Sequence, residues 1–337
     1  MTTARPEILS VLKNRFGFDR FLPLQEEIVS NVLAGNDSLI LMPTGGGKSL
    51  CYQLPALCQD GYTMVVSPLI ALMKDQVDSL QANGIPAAFV NSTLTPQENE
   101  SVLTSTAEGG VKILYVAPER LATARFRNFL QAAGPSLIAI DEAHCISEWG
   151  HDFRPDYRNL KNVRDLLPGV PVIALTATAT EIVRRDIADQ LQIESGKSFV
   201  SSFNRPNLSY TVKPKLHSFD SLVELVDRHK NESAIIYCFS RKETESLAAD
   251  LVSVGISAAP YHAGLDHPIR RATQENFIKD EISVIVATIA FGMGIDKPDV
   301  RLVVHYNLPK TVEGYYQETG RAGRDGLPSD CVLFYTF

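Results

Sequence analysis

Paired cysteines, a basic surplus and long apolar runs are what this chain lacks. Its five cysteines, Cys51, Cys58, Cys145, Cys238 and Cys331, are scattered, with no Cys-x-x-Cys pair. That spacing argues against zinc and against a disulfide framework, and reads as isolated core thiols. Lys and Arg number 32 against 39 Asp and Glu, a net charge of −7. Charge alone therefore argues mildly against a nucleic-acid partner, although local basic clusters can still serve. No apolar stretch is long enough to span a bilayer, and Met1 to Glu7 lacks a signal-peptide core. A cytoplasmic protein with no membrane partner is expected. What is present is the 45% apolar and 21% charged content of a soluble globular chain. A length of 337 residues predicts two domains.

The chain is organised around Leu41-Met42-Pro43-Thr44-Gly45-Gly46-Gly47-Lys48-Ser49. An apolar run from Ser38 to Met42 reads as a buried strand, and Leu50 to Leu57 as a helix that Pro55 bends or ends. Strand, glycine loop and helix form a setting that can cradle phosphate. Glycines Gly45, Gly46 and Gly47 let backbone N–H groups turn toward an anion. Lys48 would reach the β- and γ-phosphates, and Ser49 would ligate Mg²⁺. The strict pattern asks for Gly where Met42 stands, so this is a relaxed variant. The bland alternative is a flexible glycine turn.

Upstream, Ile8 to Phe16 has helical spacing. Phe18, Phe21 and Pro23 lead to Gln25, which opens a second helix. Gln25 reads either as a surface glutamine or as a reader of an adenine edge. Strands are expected at Thr63–Ser67, Pro86–Val90 and Ile113–Val116, with polar residues at their C-terminal ends, where open parallel sheets bind ligands. Leu137 to Ile140 runs into Asp141-Glu142-Ala143-His144. Acids at the end of a buried strand are costly without a task. Beside a phosphate loop, Asp141 would hold Mg²⁺ and Glu142 would orient or deprotonate water. Next comes Cys145 to Tyr157, with the sole tryptophan, Trp149, and His151, Phe153 and Arg154. As a surface loop it suits base stacking; equally it reads as an apolar cluster beneath the loop. Thr176, Thr178 and Thr180 follow a strand at Val172–Leu175. They either relay between phosphate and neighbouring elements or cap the helix from Glu181 to Leu191.

The turn-rich run Ser201 to Leu208 marks a boundary, giving domains at 1–207 and 208–337. The second half repeats the α/β rhythm, with strands at Ala234–Cys238, Ala258–Tyr261, Ser283–Ala287 and Val300–His305. His262 follows the second of these, and Thr288 and the glycine-rich Phe291 to Asp296 follow the third. A helix from Thr311 to Thr319 carries Gln317 and closes in Gly320-Arg321-Ala322-Gly323-Arg324-Asp325-Gly326. Arg321 and Arg324 suit a phosphate, or are a solvated basic turn.

From Phe16 to Tyr335 these stretches resemble the RecQ DNA helicases of superfamily 2. The most specific pieces are Met42 to Ser49, Asp141 to His144 continued through Tyr157, and Tyr315 to Gly326. The Asp-Glu-Ala-His box is shared with RNA helicases; the run Trp149 to Pro155 resembles the RecQ aromatic-rich loop and selects the family. The resemblance implies an α/β fold of two tandem RecA-like domains with ATP bound between them. It implies Phe18 and Gln25 at the adenine, and Thr44 to Ser49 at the triphosphate. Lys48, Asp141, Glu142, Gln317, Arg321 and Arg324 would be catalytic, with Arg324 as arginine finger. Trp149, His151, Phe153, Arg154, Thr176, Thr178, His262 and Thr288 would contact or couple to DNA. The implied function is an ATP- and Mg²⁺-dependent 3′-to-5′ helicase of DNA repair and recombination, acting on single-stranded and tailed duplex DNA. It would work at the nucleoid of a bacterium or in a eukaryotic nucleus. The rivals are an RNA helicase and an ATP-gated DNA clamp. Two departures stand out. Leu22 replaces the arginine of the family's Phe-Arg-x-x-Gln motif, which predicts looser nucleotide choice. The chain also stops at Phe337, short of the family's zinc and winged-helix modules, which predicts weak duplex separation.

Overall fold

The computed structural model describes residues 5–150, 152–193, 195–292 and 297–336; His151 and the stretch 293–296 lie outside the described residues. The chain divides into two compact units, one ending at Phe203 and the other starting at Asn204.

The first unit holds strands β1 (Ser38–Leu41), β2 (Thr63–Val66), β3 (Ala87–Val90), β4 (Ile113–Val116), β5 (Leu137–Ile140), β6 (Val172–Thr176) and β7 (Lys197–Val200). They form one parallel sheet in the order β3-β4-β2-β5-β6-β1-β7. Its helices are α1 (Arg5–Phe16), α2 (Gln25–Leu33), α3 (Leu50–Cys58), α4 (Ile70–Ala82), α5 (Pro96–Ala107), α6 (Ala124–Ala132), α7 (Asn159–Leu166) and α8 (Glu181–Leu191). Successive side chains of a strand face opposite sides. Thus Ile138 and Ile140 of β5 join one buried cluster while Leu137 and Ala139 join the other. A sheet covered on both faces reads as a short continuous apolar run, and that is why these strands are visible in the sequence. Pro55 does not end α3, which continues to Cys58; the helix is buried along most of its length, so packing holds it through the lost hydrogen bond.

The second unit holds β8 (Leu208–Pro214), β9 (Ser233–Tyr237), β10 (Ala258–Tyr261), β11 (Val284–Ala287), β12 (Val300–His305) and β13 (Ser329–Tyr335), parallel in the order β10-β11-β9-β12-β13-β8. Helices α9 (Ser218–Arg228), α10 (Arg241–Ser253), α11 (His267–Ile278) and α12 (Val312–Thr319) accompany them. The alternation recurs in β9, where Ala234 and Ile236 pack on one side and Ile235 and Tyr237 on the other.

Candidate nucleotide site and aromatic segment

In the first sheet β5, β6 and β1 are neighbours. Their C-terminal ends therefore bring together Asp141-Glu142, Thr176 to Thr178 and the Gly45–Ser49 loop. This edge is where an open parallel sheet binds ligands. Lys48 Nζ donates to the carbonyls of Met42 (3.2 Å) and Pro43 (3.3 Å). Gly47 has φ +74°, and a Cβ there would collide with the Gln25 amide; only glycine fits.

Gln25 is 2% exposed, so it is not a surface glutamine. Its Oε1 accepts from the Leu22 N–H (2.8 Å), and its Nε2 donates to the Gly47 carbonyl (3.1 Å). The amide thus ties the start of α2 to the glycine loop. Leu22 and Phe18 are both half-exposed or more on the segment leading into α2.

The Asp141 carboxyl has its pKa raised above the ordinary 3.8. Burial is the first cause and the Glu142 charge the second; the Lys48 ammonium and the Glu142 N–H, which donates to Asp141 Oδ1 at 3.0 Å, oppose it. Glu142 itself lies in the left-handed region at φ 48°, which is uncommon for a residue with a Cβ. Strain of this kind gathers at functional sites. Its Oε2 is buried without a hydrogen-bond partner, 3.4 Å from His144 Nδ1. His144 Nδ1 lies 2.8 Å from Thr176 Oγ1, which also accepts from the Thr178 N–H (3.2 Å). The acidic box and the threonine run are thereby linked by hydrogen bonds. Helix α8 is capped by Thr180, so the cap reading holds for Thr180 and not for Thr176 or Thr178. Mg²⁺ fits the donor set, since Ser49 and Asp141 offer the hard oxygens it takes and the crowded Asp141–Glu142 pair has negative charge to neutralise.

The segment after His144 is not an open loop throughout. It begins in a 3₁₀ turn at Ala143–Ile146 and ends in another at Pro155–Arg158. Trp149 is 75% exposed, while Tyr157 is fully buried and donates to the Asp141 carbonyl (2.9 Å). The buried-cluster reading thus holds for Tyr157, while Trp149 stands exposed to solvent. Arg154 donates to Asp152 through Nε (3.2 Å) and Nη2 (2.9 Å), and to the Pro68 carbonyl through Nη1 (2.8 Å). Phe153 lies under the Arg158 guanidinium, 5.2 Å from its carbon to the ring centre. His144, Cys145 and Asp152 present ligand-type atoms within 4.8 Å of one another. A search for cysteine pairs cannot see such a trio, because it mixes residue types. Arg154 already balances its carboxylate, and burial lifts the Cys145 thiol far above its ordinary value.

In the second unit His262 and Thr288 follow adjacent strands β10 and β11. His262 is 2% exposed, with Nε2 2.9 Å from Glu245 Oε1 and Nδ1 buried without a partner. Gln317 lies on α12, and Arg321 and Arg324 on the turn after it. Arg321 is buried beside Tyr237, whose hydroxyl donates to the Phe291 carbonyl (2.9 Å). Burial pushes Tyr237 up to about 12, against the pull of Arg321. Arg205 and Asn207, in the run read only as a turn, are bound to this arginine turn. Nothing local in the sequence signals that contact, since its partners are carbonyls more than a hundred residues away.

Residues 22–185 match the DEAD/DEAH box helicase family and residues 217–326 the helicase conserved C-terminal domain. The fold is that of tandem RecA-like domains. It is shared with S. cerevisiae Dbp5 bound to RNA and ADP BeF3 (TM-score 0.75, 19% identity, 100% of this chain and 88% of that one). It is shared too with Mycobacterium smegmatis Lhr bound to ssDNA and AMP-PNP (0.76, 22%, 95% and 46%). These features define a DEAD/DEAH-box helicase core. Within that class the chain belongs to the RecQ family. It is 50% identical to the Haemophilus influenzae ATP-dependent DNA helicase RecQ, over 98% of this chain and 54% of the relative. With the Bacillus subtilis ATP-dependent DNA helicase RecQ the identity is 47%, over 97% and 56%. The chain spans about half the length of the curated relatives it matches.

Proposed function

We propose that this chain is the ATP-hydrolysing motor of a DNA helicase. It moves 3′ to 5′ on single-stranded DNA, opens tailed duplexes and serves repair and recombination wherever the cell keeps its DNA. The observation that supports the chemistry is the Lys48 charge acting on a crowded Asp141–Glu142 couple whose Glu142 Oε2 has no hydrogen-bond partner. The choice of DNA follows the relatives named as DNA helicases.

Thr44 to Ser49 hold the triphosphate through backbone N–H groups, with Lys48 on its outer phosphates. Ser49 and Asp141 would hold Mg²⁺, which supplies positive charge to the phosphate oxygens. Glu142 Oε2 accepts the hydrogen bond of a water and takes its proton as that water attacks the γ-phosphorus. Gln317, Arg321 and Arg324 serve the phosphate as charge moves onto the leaving oxygen. Gln25, held by Leu22 and Gly47, joins base recognition to the loop that grips phosphate. Trp149 stacks on a base, and the shared backbone from Asp141 to Arg154 carries that contact to the acids. We extend the reading to zinc: Arg154 occupies the Asp152 carboxylate, so metal analysis of the purified chain should find none bound stoichiometrically.

The test is ATP hydrolysis without nucleic acid, with single-stranded DNA and with RNA, followed by strand displacement on 3′- and 5′-tailed duplexes. Stimulation by DNA and displacement from a 3′ tail are expected. Stimulation by RNA alone would make the chain an RNA helicase. DNA stimulation without displacement would make it an ATP-gated clamp.

A further inference from the structure

Arg205 is the second residue of the second unit, and its guanidinium binds the turn that carries the arginines. Nη1 donates to the Gly320 carbonyl (3.2 Å), and Nη2 to those of Ala322 (2.8 Å) and Gly323 (2.7 Å). Asn207 Nδ2 adds bonds to the carbonyls of Gly323 (2.9 Å) and Leu327 (3.0 Å). The turn closes tightly on this pair. Gly323 has φ +53°, and a Cβ there would sit 2.5 Å from Asn207 Nδ2 and 2.7 Å from the Leu327 carbonyl. Further along the same turn, Arg301 donates to the Pro328 carbonyl (3.3 Å) and Ser329 Oγ (3.1 Å) and pairs with Asp325.

The three carbonyls that Arg205 takes belong to the residues before and after Arg321, ending at the residue before Arg324. Fixing them fixes the direction in which both arginine side chains leave the backbone. Arg321 Nε is buried without a hydrogen-bond partner, and the side chain is hydrogen-bonded with Tyr237, so the backbone of the turn and Tyr237 together aim that guanidinium. Arg suits the task better than Lys because its donors are set in a rigid planar fork, whereas an ammonium is a point charge on a flexible stem.

We infer that Arg205 is a positioning residue for ATP hydrolysis: it sets the backbone of the 320–324 turn so that Arg321 and Arg324 are presented to phosphate. This rests on the proposed role of those two arginines. The guanidinium of Arg205 is engaged with backbone carbonyls of the turn, so its loss should slow turnover and leave ATP affinity alone.

The experiment is a double-mutant cycle on the full chain. It combines Arg205→Gln with Arg324→Lys, and measures kcat and KM of DNA-stimulated hydrolysis, ATP affinity and melting temperature. Arg205→Gln should lower kcat by roughly tenfold or more, with KM and ATP affinity within about twofold, as expected for a contact that matters only in the transition state. Arg205→Lys should recover part of the rate. The double variant should be little slower than Arg324→Lys alone, because residues acting through one another are not additive. Multiplied losses in the double variant, or ATP affinity falling in step with kcat, would overturn the inference while leaving the arginine reading intact. Full activity in both Arg321→Ala and Arg324→Ala would instead defeat the arginine reading, and the inference with it. If Arg205→Gln does not fold, Asn207→Ala, which loosens the same Gly323 carbonyl, takes its place in the cycle with the same outcomes decisive.

Discussion

Lys48 lies outside the buried core, yet it is tied to the loop it serves. It donates hydrogen bonds to the carbonyls of Met42 and Pro43, and both acceptors belong to that loop. Removing the side chain therefore opens no cavity between sheet and helix. Lys48→Ala should cost about 1 kcal/mol of stability, a shift of a few degrees in melting temperature at this size. Hydrolysis should fall by roughly 100-fold or more, since a preorganised cation on a transferring phosphoryl group acts at the transition state. Melting and steady-state ATPase on one preparation check this; a folded variant that still hydrolyses ATP would show that the loop is not the phosphate site. The same residue scale shows what sequence could and could not reveal. Lys48, Asp141 and Glu142 are legible because phosphate chemistry accepts few residue types at fixed spacing. Gln25 is ambiguous in sequence, as any polar residue at a helix start is. Its burial against Gly47 is a product of the fold.

Trp149 and Tyr157 bound one short segment and predict opposite behaviour. Trp149 is 75% exposed, so Trp149→Ala should change stability by no more than about 0.5 kcal/mol. Basal hydrolysis should hold, and stimulation by DNA should drop, because a ring stacked on a base is worth roughly 1–3 kcal/mol. Tyr157 is buried and bonded to the Asp141 carbonyl; Tyr157→Ala should cost about 3–5 kcal/mol and lower every activity together. If Trp149→Ala also melts early and loses both activities in proportion, the coupling idea ends. The arginine turn carries a pH prediction. The Arg301 guanidinium, hydrogen-bonded to Asp325, holds that carboxyl below its ordinary 3.8. A depressed carboxyl stabilises the fold above its ordinary value, and that stability is lost as pH falls through the folded value. Asp325→Asn keeps an acceptor for the Leu327 N–H but loses the ion pair, at a cost of about 1–2 kcal/mol at neutral pH. Denaturant melts should show the gap between wild type and variant closing only below 3.8; a gap independent of pH would show that the pair contributes nothing. Elements divide the same way in legibility. Strands buried on both faces announce themselves as apolar runs. The edge strands β7 and β8 are mostly exposed and carry no such run that would mark them in the sequence. Helix α5 carries none of the chemical motifs above and is legible only at its start, in the capping box of Thr95 with Glu98.

At the scale of the molecule, the two units are built from separate material. The buried clusters of the first draw on residues from Ile8 to Phe199, and those of the second on residues from Leu208 to Phe334. Every strand pairs within its own sheet, and β7, the last before the division, pairs with β1. Among the described residues, cutting the chain between Phe203 and Asn204 thus removes no strand from either sheet and divides none of these clusters. A sheet of seven parallel strands covered on both faces is large enough to fold alone. The separated first unit should therefore fold cooperatively and keep the glycine loop, Gln25, Asp141 and Glu142 in their present geometry. It should bind ATP with an affinity within about threefold of the whole chain, because the backbone N–H cradle and Lys48 supply most of the phosphate grip. It should hydrolyse ATP at about 1% of the full rate or less, since loss of an arginine that meets transition-state charge costs several orders of magnitude and Gln317, Arg321 and Arg324 belong to the other unit. Far-ultraviolet dichroism, ATP titration and ATPase assays on residues 1–203 give the three readouts. Folded protein that binds ATP and hydrolyses it at the full rate would remove the second unit from the chemistry. Folded protein that no longer binds ATP would place the nucleotide site outside the first sheet. Loss of binding together with hydrolysis would therefore count against Lys48 and the glycine loop, whereas loss of hydrolysis alone is the result that two units with divided roles require.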